Sequence, residues 1–413
     1  MLIKDALKCG LHGRMLMNRI FNVAGDCKPK LHYMVDLSSR LAQMQEYVDA
    51  GAYFTVNRAR QYGKTTMLRA FREYLKGSYY VVSMDFQVQM STAKFRSEHL
   101  FCAAFAKAFV RILQGQAADG VRLPEEMRQA VERLSAAANL PQELDFVELF
   151  LHCSSICGKA DLPLVLMIDE TDQAAGYPVF LDFLSQLRGY YIDRDETPTF
   201  QSVILAGVYD IKNLKRKVLH RYDVPEEGSR NSPWNISVDF KVDMSFTPQD
   251  IEGMLTEYDK DYGVGMDAAD MSQKIYAHTS GYPYLVSRLC KLMDEEVAGS
   301  AGFPEKKDAW TDSGFLEADR MLIGEKNTLF ESMVNKLYDF PELRDVVYSM
   351  LFTGREWPYN ALDPAVGTAA MFGFVKNAGG VVAIANRIFE NVFYNLFLTT
   401  AENQNTDIYK AAL

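Results

Sequence analysis

Gly63, Lys64 and Thr65 stand in a row, and their types carry the chemistry most easily named in this chain. Glycine lets backbone N–H groups crowd round a phosphate, lysine reaches the terminal phosphates of a nucleotide, and the next hydroxyl can ligate Mg²⁺. They follow the β-branched and aromatic run Tyr53-Phe54-Thr55-Val56-Asn57 across Arg58-Ala59-Arg60-Gln61-Tyr62, so the stretch reads as strand, phosphate loop, helix. The general pattern G-x-x-x-x-G-K-[ST] opens on a glycine, and Arg58 stands in that place. A helix start with a merely solvated lysine is the competing reading of Gly-Lys-Thr taken alone.

A second element separates those readings. The apolar succession Leu164-Val165-Leu166-Met167-Ile168 is closed by Asp169 and Glu170. Such a run predicts a buried parallel strand with acids at its C-terminal edge, where open α/β sheets bind ligands. At that edge Asp169 would hold the hydration shell of Mg²⁺, and Glu170 would polarise the water that attacks a γ-phosphate.

The segment Asn57-Arg58-Ala59-Arg60-Gln61-Tyr62-Gly63-Lys64-Thr65, followed about a hundred residues later by Leu166-Met167-Ile168-Asp169-Glu170, resembles the prokaryotic AAA-like ATPases of the STAND type. Many members carry Arg-x-Arg-x-x-Gly-Lys-Thr, which makes Arg58 a family trait. The resemblance runs from about residue 19 to 395. It implies an α/β fold: a P-loop NTPase core with a parallel sheet and an additional strand between the strands bearing the loop and the acids. A small helical lid and a winged-helix-like C-terminal domain follow. It implies ATP and Mg²⁺ as ligands, with Arg60, Gln61, Tyr62, Gly63, Lys64, Thr65 and Thr66 round the nucleotide. Thr65 and Asp169 are then the metal residues, and Glu170 and Lys64 the catalytic ones. In related ATPases the segment before the first long helix lies against the adenine, which points to Tyr33, Met34 and Val35. An apolar anchor for that helix is the other reading of these three. His278-Thr279-Ser280-Gly281-Tyr282-Pro283 resembles the family's Gly-x-Pro turn, which brings Pro283 to the base. Relatives often continue into a nuclease domain, and the expectation here is a chain without one.

In order, the expected divisions are a leader over 1–18, the ATPase core over 19–244, the lid over 245–304 and the C-terminal domain over 305–413. Periodicity predicts helices over about 37–50, 65–76 and 179–191, three more between 93 and 158, and strands over 79–84, 200–206 and 234–240. Thr247-Pro248-Gln249-Asp250 carries a capping box with proline at the first helical position. Further on, helices over about 315–336 and 341–353 precede a hairpin that turns at Gly379-Gly380. After the 200–206 strand, Tyr209 and Asp210 are the candidates for a γ-phosphate sensor. Lys212, Lys215, Arg216, Lys217 and Arg221 follow with no acid among them. They form either a solvated helix face or a cationic element near the γ-phosphate, with Arg216, Arg221 and Arg230 as finger candidates.

Composition narrows the function classes. At 413 residues, 48% hydrophobic and 24% charged, the chain suits two or three globular domains. A formal net charge of −10 argues against broad binding to nucleic acid or anionic membrane. Residues 341–413 hold five basic against seven acidic side chains, and no Lys or Arg lies between Arg355 and Lys376, where a recognition helix would sit. The winged-helix-like domain is therefore read as a protein-interaction or autoinhibitory element, with DNA binding not favoured. Six cysteines without a C-x-x-C pair, and no stretch long enough for a membrane helix, suggest reduced thiols in the cytoplasm. The leading expectation is a Mg²⁺-dependent ATP-binding and ATP-hydrolysing switch that exchanges ATP and ADP, meets an unidentified protein partner and can form a homo-oligomer. A DNA-associated ATPase of repair, mobile-element or defence function and a non-hydrolysing scaffold are the alternatives.

Overall fold

The computed structural model describes residues 19–208 and 233–399. The leader over 1–18, the sensor candidates Tyr209 and Asp210, and the basic stretch with Arg216, Arg221 and Arg230 lie outside the described residues.

Apolar runs build the sheet. Its strands are β1 (Phe54–Asn57), β2 (Tyr80–Asp85), β3 (Leu164–Asp169) and β4 (Ser202–Gly207), all parallel, in the order β1-β4-β3-β2. Thus β4 occupies the place of the additional strand between the loop strand and the acid strand. Every residue of β3 and β4 is buried, which explains why the sequence shows them as unbroken apolar runs. Successive side chains face opposite layers. Val165 and Met167 pack with α1 (Ser38–Asp49) and α2 (Lys64–Tyr74). Leu164, Leu166 and Ile168 pack with α3 (Glu98–Ala118), α4 (Glu125–Ala137), α5 (Phe146–Cys157) and α6 (Pro178–Ile192). The long connection from β2 to β3 is the crossover that a parallel pair requires.

The strand expected over 234–240 is reduced to one bridge, between Val238 and Phe54. A turn occupies 233–236, because the Trp234 indole is buried beside Tyr53 and donates to Thr55 Oγ1 at 2.8 Å. Phe240 still stacks on Phe54 at 5.5 Å, so the side chains pack as alternation implies while the backbone does not pair.

The remainder is mostly helical: α7 (Pro248–Tyr262), α8 (Ala268–Thr279), α9 (Pro283–Leu292), α10 (Asp312–Gly324), α11 (Thr328–Asp339), α12 (Pro341–Phe352), α13 (Pro364–Met371) and α14 (Arg387–Thr399). Thr247 and Asp250 form the expected capping box at the start of α7. The single helix expected over 315–336 is instead two. Glu325 is extended at ψ 138° and ion-paired to Arg288 at 2.7 Å, and Asn327 Oδ1 caps α11 by accepting from Phe330 N at 2.9 Å. The hairpin of β5 (Val375–Ala378) and β6 (Val381–Ile384) turns at Gly379 and Gly380, whose φ of +67° and +93° suit glycine. One apolar cluster runs from Ile251 to Phe397 and takes in Phe21 and Tyr33, so the segments over 245–304 and 305–399 share a core. Among the described residues no helix is long and apolar enough to cross a membrane.

Candidate functional site

The loop between β1 and α2 is shaped by two left-handed residues, Gln61 at φ +54° and Gly63 at φ +80°. A Cβ on Gly63 would meet nothing within 4 Å, so backbone conformation rather than space calls for glycine there. Lys64 opens α2 and is 8% exposed. Its Nζ donates to the carbonyls of Arg58 at 2.9 Å and Ala59 at 3.0 Å. Burial pushes its pKa below the usual lysine range, against the pull of Asp172, Glu170 and Asp169.

Sheet order brings the acids to the loop. Thr65 Oγ1 donates to Asp169 Oδ2 at 2.7 Å, and Glu170 N donates to Asp169 Oδ1 at 2.9 Å. Burial raises the pKa of Asp169, opposed by these two hydrogen bonds. Glu170 sits at φ +54°, at the head of the Thr171–Gln173 turn, and lines the same cavity as Lys64. Its carboxyl is raised first by burial and next by the charge of Asp169. The turn is stitched to β4: Thr171 Oγ1 donates to Ala206 O at 2.9 Å and Val208 N to Asp172 Oδ2 at 2.7 Å. Gly207 lies between, where a Cβ would come within 2.8 Å of both side chains.

Arg58, in the place of the first loop glycine, turns away from this cavity. Its guanidinium donates to Asn57 O at 2.8 Å and Val242 O at 2.9 Å and lies over the Phe240 ring at 5.5 Å. The loop therefore accommodates an arginine by anchoring it to the 240–242 segment.

Two adjoining cavities flank the loop. One of about 520 Å³ is lined by Arg60, Lys64, Thr65 and Glu170, and the other, of about 310 Å³, by Met34, Met67, Met254 and Pro283. Gln61, Tyr62, Gly63 and Thr66 line both. A compartment with charged groups on its loop side, suited to phosphates, beside a more apolar one, suited to a base, fits a nucleotide. Met34 and Pro283, far apart in sequence, thus line one cavity. Tyr33 and Val35 line the same apolar cavity as Met34, and the Tyr33 ring also packs on Phe21 at 5.0 Å and Tyr258 at 5.3 Å, while its hydroxyl donates to Asp261 at 2.7 Å. Tyr62 shares a hydrogen bond with Ser245 Oγ at 2.7 Å and meets the Tyr282 ring edge-on, while the Tyr282 hydroxyl donates to Arg60 O. Gly281, at φ +71°, lies so close to Phe246 that a Cβ would fall 2.0 Å from its carbonyl oxygen. The Gly-Tyr-Pro turn is thereby fixed against the loop.

Sequence reasoning missed the contribution of the C-terminal segment. Gln61 Nε2 donates to Thr328 Oγ1 at 3.1 Å, a Cβ on Gly373 would stand 2.8 Å from Ala59 Cβ, and Met333 and Lys336 line the phosphate-side cavity. The stripe Leu329, Met333, Leu337 reads as a core-facing helix face and carries no sign of this. Asp172 was readable only as part of a polar loop. For a metal, no cluster of three or more His, Cys, Asp or Glu occurs among the described residues. The Thr65 hydroxyl and Asp169 carboxylate are hard oxygen donors, a pair that suits a Mg²⁺ taking its other ligands from phosphates and water.

A family model for the AAA-like domain matches residues 32–300. The chain belongs to the AAA-like domain family. Among solved structures, this AAA-like chain is similar to the Walker-type ATPase paby2304 of Pyrococcus abyssi, at 13% identity and a TM-score of 0.55, over 91% of this chain and 99% of that one. It also matches the Aeropyrum pernix ORC2 protein, at 9% identity and a TM-score of 0.45, over 93% and 98% of the two chains. No match among curated proteins was found. By family the chain is AAA-like, and its fold is that of the Walker-type ATPase structure.

Proposed function

We propose that this AAA-like ATPase binds ATP with Mg²⁺ across the two cavities, hydrolyses it, and uses the exchange of ATP for ADP as a switch. The observation that carries the reading is the 2.7 Å hydrogen bond from Thr65 Oγ1 to Asp169 Oδ2. It joins a loop hydroxyl to a strand-end carboxylate across 104 residues. Those two groups would hold Mg²⁺, which supplies charge neutralisation at the β- and γ-phosphates. Backbone N–H groups of the loop and Lys64 Nζ hold the phosphates, and Met34 and Pro283 border the base. Glu170, whose carboxyl burial makes more basic, accepts the proton of the attacking water.

The core over 19–244, the lid over 245–304 and the winged-helix-like domain from 305 act together, and the apolar cluster shared by the last two supports joint movement. The Arg-led loop and the C-terminal segment packed on it support the STAND type. We place the protein in the cytoplasm, with the C-terminal domain as its surface for a protein partner. Phosphate release tests the reading. Glu170→Gln should keep ATP affinity and lower turnover by about 10²-fold or more, the usual worth of a general base. A variant that turns over normally removes Glu170 from the role, and a wild-type protein with neither binding nor release sinks the reading.

A further inference from the structure

The cavity beside Lys64 has a second wall, built by the C-terminal segment. Leu329, Ser332, Met333 and Lys336 recur at helical spacing along α11, and all four line it. The helix is fixed there: Asn327 caps it and Thr328 accepts from Gln61. Of the cations that line the cavity among the described residues, Arg69 is taken by Asp26 at 2.6 Å, and Lys64 by the loop carbonyls. Arg60 belongs to the loop itself. Lys336 comes from the facing segment. Its ammonium lies 5.7 Å from the Phe340 ring centroid and 5.2 Å from that of Phe372. Among the described residues its ion pair is with Asp339, one turn away at 3.4 Å and 58% exposed. A surface pair of that kind holds weakly, so the ammonium can exchange it for a phosphate oxygen.

We infer that Lys336 reads the terminal phosphate: its ammonium donates to a γ-phosphate oxygen of the nucleotide held by the loop, which distinguishes a nucleoside triphosphate from a diphosphate. This rests on the nucleotide reading of the cavity. Lysine suits the task, as a compact point charge on a long stem that the two aromatic rings guide. The same contact ties the position of α11 to the nucleotide state.

The test titrates a non-hydrolysable ATP analogue and ADP, each with Mg²⁺, into wild type, Lys336→Met, Lys336→Arg, Lys326→Met and Lys64→Ala. Methionine keeps an apolar stem between the rings and removes only the charge. Lys336→Met should lose at least roughly tenfold in affinity for the analogue, the worth of one charge-assisted hydrogen bond, with ADP affinity within about twofold of wild type. Lys336→Arg should retain the preference for the analogue. Lys326→Met, at an 87% exposed lysine near the same helix, should change nothing. Equal losses for both nucleotides, no loss at all, or the same loss in Lys326→Met would overturn the inference. If wild type binds neither nucleotide, or Lys64→Ala binds as well as wild type, the nucleotide reading itself fails, and this inference falls with it, whatever Lys336→Met does.

Discussion

Gly373→Ala strikes the contact between the C-terminal segment and the phosphate loop. Gly373 has φ +73°, and the new Cβ would stand 2.8 Å from the Ala59 methyl. The left-handed backbone costs an L-residue about 1–2 kcal/mol. The methyl contact falls well inside the ordinary carbon–carbon separation of about 3.5–4.0 Å, and overpacking of that kind costs about 1–3 kcal/mol more. The expected destabilisation is therefore about 2–5 kcal/mol. Gly379→Ala is the control, since Gly379 has φ +67° and nothing within 4 Å of its Cβ position. It bears only the backbone cost, so the difference between the two variants, about 1–3 kcal/mol, isolates the contact. Urea denaturation measures both, and hydrogen exchange over residues 59–63 shows where protection is lost. Adding Ala59→Gly to Gly373→Ala removes the clashing methyl and should recover most of that difference, a coupling that a double-mutant cycle reads directly. Equal destabilisation by the two alanines, within about 0.5 kcal/mol, or no coupling to Ala59, would refute the reasoning.

Turnover should fall on the acid side with a midpoint above the roughly 4.3 of an ordinary glutamate, because burial and then Asp169 raise the Glu170 carboxyl and a base must be ionised to act. A profile of kcat at saturating ATP checks this, and a limb at or below that value contradicts it. Thr65→Val removes the hydroxyl that donates to Asp169, so titration with Mg²⁺ at fixed ATP should need at least roughly tenfold more metal. Asp169 Oδ2, left without its donor while Oδ1 keeps Glu170 N, should also cost about 1–3 kcal/mol of stability, read from the same urea denaturation. Unchanged metal dependence would separate Thr65 from the metal site.

The strands β3 and β4 were legible because both faces are buried, and a doubly buried strand writes itself as an unbroken apolar run. The pairing of Thr65 with Asp169 was legible for a related reason: a parallel sheet places loop and acids on one edge, whatever lies between them in the chain. The 234–240 segment deceived because alternation records which side chains are buried, while Trp234 satisfies that burial from a turn. The break at 325–327 was masked by apolar residues that continue at helical spacing on both sides of it. Least legible was the wall made by α11. The bond from Gln61 to Thr328 spans 267 residues, and neither side chain differs in type from an ordinary surface residue. Gly373 would have passed for a loop glycine, since its need comes from Ala59 on another element.

The central claim is that the loop at Gly63-Lys64-Thr65 binds nucleotide. Titration calorimetry of Mg²⁺ and ATP into the purified protein, with Lys64→Ala alongside, tests it most directly. The account predicts saturable binding in wild type and its loss in Lys64→Ala, because the buried ammonium beside the loop carbonyls is the group placed to meet the phosphates. Binding of equal strength in both proteins would contradict it.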